Sequence, residues 1–133
     1  MEKVLCFRIS GVDLFLEQTL EKYNNVPIFF VCRGNGERYL VLCTDVSECN
    51  YIIMKITTER LCDMLSGECT MRDVFLEQSC FWEVHSGEDV ARDHVKEIHQ
   101  VKEELLPEKS FQILDAETAS YAEKIRCEKG GVV

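Results

Sequence analysis

The sequence predicts an α+β domain, a mainly antiparallel sheet of four to six strands with two short helices and one longer acidic helix. Three observations carry that class. Two runs rich in β-branched and aromatic residues, 27–32 (PIFFVC) and 38–44 (RYLVLCT), flank Asn35-Gly36. Asn-Gly in such a setting is the strongest short-range hairpin signal, because both residues tolerate positive φ. Two threonine-led segments then show helix caps, and residues 91–106 repeat apolar side chains at helical spacing within a charged stretch.

From the N-terminus, Leu5, Phe7 and Ile9 alternate with Cys6 and Arg8, as a half-buried strand does. Ser10 with Asp13 forms a capping-box pattern, and Val12, Phe15 or Leu16, Leu20 and Tyr23 follow at helical spacing, so a helix is expected over 12–23, ended by Asn24 and Asn25. The hairpin comes next, then a loop over 45–50 and a third strand over 51–56 (YIIMKI). These three runs are apolar on both faces, as a central sheet covered by helices requires. Thr57 or Thr58 caps a short helix with Leu61, Met64 and Leu65 as its buried stripe, and Gly67 is placed to close it. Thr70 and Asp73 form the capping box of a second, burying Met71, Val74 and Phe75.

A fourth strand over 80–85 sends Trp82 and Val84 to one face and Phe81, Glu83 and His85 to the other. Ser86-Gly87-Glu88-Asp89 reads as a turn. The acidic helix over 91–106 carries Val95, Ile98, Val101 or Lys102, Leu105 and Leu106, and Pro107 stops it. Residues 111–114 can rejoin the sheet. One domain over 1–115 is expected, with 116–133 a partly flexible C-terminal extension ending in Gly130-Gly131-Val132-Val133.

The block Asn50-YIIMKITTERLCDMLSGECTMRDVFLE-Glu77 resembles a group of small bacterial domains with no activity attached. In them a strand hairpin precedes a Thr-x-Glu-Arg-Leu helix, a Leu-x-Gly turn and an Arg-Asp-hydrophobic helix. The matching residues here are Thr57, Glu59, Arg60 and Leu61, then Leu65 and Gly67, then Arg72, Asp73 and Val74. The resemblance spans roughly residues 20–114 and implies an α+β fold and a bacterial or phage origin. The charged 88–106 segment, the cysteine content and both terminal extensions depart from that pattern.

Charge bounds the function. The 133 residues hold 15 basic and 24 acidic side chains, a net of −9, which excludes a phosphate-seeking surface as the default. Eight of the acids and only three bases lie between Glu83 and Glu108. An acidic helix face at Glu88, Asp89, Asp93, Glu97, Glu103, Glu104 and Glu108, with Trp82 as an anchor if it faces outward, would steer onto a basic partner. The expected function is therefore a non-enzymatic protein-binding module. It would inhibit or regulate a basic, nucleic-acid-handling partner such as a CRISPR or other defence nuclease. Alternatives are a Cys/His-dependent enzyme or thiol sensor, and an antitoxin- or immunity-type or homodimeric structural protein.

The eight cysteines have no Cys-x-x-Cys pair and no export signal ahead of them, which points to thiols in the cytoplasm rather than bridges or a zinc knuckle. His94 and His99 would sit about 140° apart on a helix, a poor chelating geometry at 3.6 residues per turn. No catalytic fingerprint occurs, and no cofactor or metal is expected. The start MEKVLCFRISG is no signal peptide and no apolar run reaches membrane-span length.

Overall fold

A computed structural model describes residues 4–23, 26–86, 94–106 and 116–130. Strands β1 (Leu5–Ile9), β2 (Val12–Tyr23), β3 (Val26–Gly34), β4 (Glu37–Asp45) and β5 (Asn50–Ile56) precede helices α1 (Thr58–Leu65) and α2 (Met71–Leu76). Strands β6 (Phe81–His85) and β7 (His94–Ile98), a 3-10 turn (Glu103–Leu105) and helix α3 (Ala116–Gly130) follow. Among the described residues, all seven strands form one antiparallel sheet in sequence order. The molecule is thus sheet-dominated, and the four to six strands expected are too few.

The two strands beyond those expected, β2 and β7, replace expected helices. Residues 12–23 are β2, because Ser10 (φ 47°) and Gly11 (φ 80°) form a two-residue hairpin turn that pairs Ile9 with Val12. Two successive residues at positive φ match the twist of flanking strands, so Ser10 opens a turn and caps no helix. The acidic helix expected over 91–106 is likewise absent from its described part. His94–Ile98 pairs with β6, His85 facing His94 and Phe81 facing Ile98, and only Glu103–Leu105 is helical. Pairing with a buried neighbour outweighed helical periodicity there. The 86–89 turn beyond Ser86, the Pro107 stop, the 111–114 strand and the end of the chain after Gly130 lie outside the described residues.

The β3–β4 hairpin turns at Asn35 (φ 52°) and Gly36 (φ 81°), as the Asn-Gly signal predicts. Thr57 caps α1 by accepting from the Arg60 amide, and Thr70 and Asp73 form the full capping box of α2. Leu61, Met64 and Leu65 are buried from α1 and Met71, Val74 and Phe75 from α2, while Gly67 takes the left-handed conformation (φ 84°).

The sheet buries both faces by different means. On one, Leu20, Phe29, Val31, Leu40, Leu42, Ile52, Met54 and Phe81 meet all three helices. Helix α3 adds Tyr121, Ala122 and Ile125 to that same core, and Thr118 is buried beside them. On the other, Phe7, Ile9, Leu14, Phe30, Cys32, Tyr39, Val41, Ile53 and Val84 pack with no helix among the described residues. Here the sheet covers itself. Phe7 stacks edge-on against Tyr51 with ring centroids 5.1 Å apart, and the Trp82 indole N–H donates to Ser10 Oγ at 3.3 Å. Three register shifts along the β2–β3 pairing supply the bend, since a bulge kinks its strand and adds twist. A sheet clothed by helices on both faces is therefore corrected to one that curls over its second face.

Candidate anion-binding cleft

At one end of the sheet, the β3–β4 turn, the end of β5 and the start of α1 enclose an open cleft of about 840 Å³. Arg33, Arg38, Lys55 and Arg60 line it with Glu37, Thr57, Thr58 and Gln78. Register brings Arg33 and Arg38 together, paired directly across the hairpin. Lys55 pairs with Tyr39, so its side chain leaves the opposite face of the sheet and reaches the cleft around the end of β5.

Two like charges facing across strands repel, so something must lie between them. That group is Glu17 of β2. Its carboxylate accepts from Arg38 Nε at 2.7 Å and from Arg33 Nη1 at 3.3 Å, and the Tyr121 hydroxyl of α3 donates to it as well. Arg38, only 5% exposed, also donates to Thr58 Oγ1 at 2.8 Å. Burial pushes the Glu17 carboxyl up, but the hydrogen bonds from Arg38 and Tyr121 and the nearby guanidinium charges outweigh it and hold the group below its ordinary range. Burial, with the hydrogen bond to Glu17, pushes the Tyr121 phenol up.

The other cations differ in how tightly they are held. Arg60 binds Glu77 through two nitrogens, at 2.5 and 2.7 Å, and Asp63 at 3.3 Å, bracing α1 against the end of α2. Lys55 meets Glu37 at 2.8 Å with both side chains about half exposed. Such a surface pair contributes roughly 0–1 kcal/mol and exchanges readily. The guanidinium forks and the Lys55 ammonium that make these ion pairs are groups that recognise carboxylates in general.

This cleft lies apart from the site residues expected from the sequence. One signal for it is local, because an Asn35-Gly36 turn fixes Gly34 opposite Glu37 and therefore Arg33 opposite Arg38. The expected site residues are scattered. Trp82 packs edge-on against Tyr39 at 6.1 Å and contributes to the core on the second face of the sheet. Glu97 lies on β7 opposite Trp82, on that side of the sheet. Glu103 accepts from Arg72 of α2, by its backbone carbonyl at 3.2 Å and its carboxylate at 3.1 Å, on the helix side. Glu104 is exposed next to it. Glu88, Asp89, Asp93 and Glu108 lie outside the described residues.

The histidines have local partners. His85 Nδ1 is 2.6 Å from Asn50 Oδ1 and its ring is 6.3 Å from that of His94, while His99 Nδ1 is 3.1 Å from the Ser79 carbonyl oxygen. Among the thiols, a hydrogen bond with Cys32 draws Cys6 down, whereas that bond and burial push Cys32 up. Cys80, Glu97 and His99 converge, with Cys80 Sγ donating to Glu97 Oε1 at 3.4 Å.

Comparison of the chain with family models, curated proteins and solved structures finds no match. Among the described residues no helix is long and apolar enough to cross a membrane.

Proposed function

We propose that the protein is a non-catalytic binding module whose partner presents a carboxylate-bearing segment to the Arg33–Arg60 cleft. One observation carries this: in a chain of net charge −9, four cations line a single concavity, and of the carboxylates paired with them only Glu37 is itself among the described lining residues. The exposed Lys55–Glu37 pair is the natural point of entry, since an incoming carboxylate can take the place of Glu37 at little cost. Bacterial or phage origin belongs to the same proposal and rests on the resemblance of residues 50–77.

The acidic-surface alternative keeps a basic partner such as a CRISPR or other defence nuclease, and net charge favours it. Its described glutamates are divided, however, with Glu97 on the Trp82 side of the sheet and Glu103 beside α2. Titration with a fluorescent oligoglutamate peptide tests the leading proposal. Saturable binding that weakens with salt, and falls about ten-fold in Lys55→Glu, supports it. Equal binding by wild type and variant, or none by either, contradicts it.

A further inference from the structure

We infer that Cys80, Glu97 and His99 form a binding site for a zinc-class divalent cation that fastens the final hairpin. Strand register produces the constellation. Phe81 faces Ile98, which sets Cys80 across from His99 just beyond the end of the β6–β7 ladder. Glu97 stands two residues before His99, on the same side, as the period of a strand dictates. The helical spacing that made His94 and His99 an unpromising pair does not apply, because β7 is a strand.

The geometry suits a tetrahedral ion. One ligand atom from each of the three residues lies within 4.8 Å of the others. The Cys80 Sγ to Glu97 Oε1 separation is 3.4 Å, close to the roughly 3.5 Å between a sulfur and an oxygen bound about 2.3 and 2.0 Å from a tetrahedral zinc. Thiolate, imidazole and carboxylate together form a donor set that zinc accepts and magnesium or calcium does not favour. His99 is already oriented. A carbonyl oxygen only accepts, so the 3.1 Å contact to Ser79 calls for the proton on Nδ1, and Nε2 is the nitrogen that would take a metal. A backbone carbonyl commonly holds a zinc-bound histidine in this way. Glu97 and His99 are exposed, so the ion has a path in and its fourth position faces solvent. On binding, the Cys80 thiol proton is released to water and the sulfur joins as thiolate.

The consequence is mechanical. All but one residue of β7 are exposed, and among the described residues the strand sits at the sheet's edge, paired only with β6. A metal ion bridging the residue before β6 to the end of β7 would lock that edge in place.

Cobalt(II) titration of the metal-stripped, reduced full-length chain tests this. One equivalent is expected to give a thiolate-to-cobalt charge-transfer band with tetrahedral visible bands, and zinc is expected to displace it. Cys80→Ser should abolish the charge-transfer band, while Glu97→Gln and His99→Asn weaken binding about ten-fold or more. Cys69→Ser, a control among the remaining thiols, should leave the band intact. Circular dichroism of each metal-free variant shows whether it has kept its fold. No band in the wild type, or a full band in folded Cys80→Ser, overturns the site.

Discussion

Arg38 and Tyr121 bind the same carboxylate, that of Glu17, from opposite ends of the chain. The contact joins β2, β4 and α3, and it ties the C-terminal helix to the wall of the cleft. Breaking a mostly buried pair from one side leaves Glu17 with only Arg33 and the Tyr121 hydroxyl to hold its charge. Arg38→Ala is therefore expected to destabilise the protein by about 2–3 kcal/mol in chemical denaturation at pH 7. A loss under 1 kcal/mol would show that the pair is dispensable.

Glu17 also sets an acid dependence. Its carboxyl titrates lower in the folded chain than in the unfolded one. The stability it contributes is thus fully present above the unfolded carboxylate pKa, about 4.3, and is lost as pH falls through the lower folded value. Wild type should lose stability across that window more steeply than Glu17→Gln. Denaturation midpoints measured from pH 6 to pH 3 check it, and parallel profiles would refute it.

Gly34 and Gly36 look equivalent in the Gly-Asn-Gly turn, yet they do different things. A Cβ on Gly34 would lie 2.6 Å from the Asp13 carbonyl oxygen and 2.6 Å from Leu14 Cδ2, whereas one on Gly36 meets nothing within 4 Å. Gly36→Ala meets only the strain of a left-handed φ, +81°, at about 1 kcal/mol. Gly34→Ala should cost about 2–3 kcal/mol, since the opposing backbone cannot yield easily. Thermal melts of the two variants would reveal the order.

Helix α2 is only six residues long and depends on its cap. Thr70→Ala removes the acceptor for the Asp73 amide, 3.0 Å away. A loss of about 1 kcal/mol is expected in urea denaturation.

Thiol accessibility follows burial. Cys49 is exposed, while Cys32 and Cys62 are buried, and burial with its Cys6 contact also keeps the Cys32 thiol protonated. Iodoacetamide at neutral pH should modify Cys49 readily in the native state and spare Cys32 and Cys62 until denaturant is added. Mass spectrometry of a time course reads the order, and early labelling of Cys32 would contradict this packing.

Local chemistry decided what was legible in the chain. Asn35-Gly36, the Thr57 cap and the Thr70–Asp73 box act within a few residues, and each appears where the sequence places it. Strand β2 did not reveal itself because its register shifts against β3 near Leu16, Thr19 and Glu21, so strict alternation fails and helical spacing appears by coincidence. Strand β7 has almost no buried side chain to create a pattern. Helix α3 does carry an i, i+3, i+4, i+7 stripe, at Thr118, Tyr121, Ala122 and Ile125. Threonine and alanine are too weakly apolar to announce it. The cleft is still less visible, because Arg33, Arg38, Lys55 and Arg60 meet only through register and the placement of α1.

Amide NMR of the labelled full-length chain, titrated separately with hexaglutamate and hexalysine, tests the cleft most directly. A carboxylate-binding cleft predicts that hexaglutamate shifts the amides of Gly36 and Ile56 to Thr58, and that hexalysine leaves them unmoved. Shifts produced by hexalysine alone, centred on Glu103 and Glu104, would contradict it and return the function to the acidic surface.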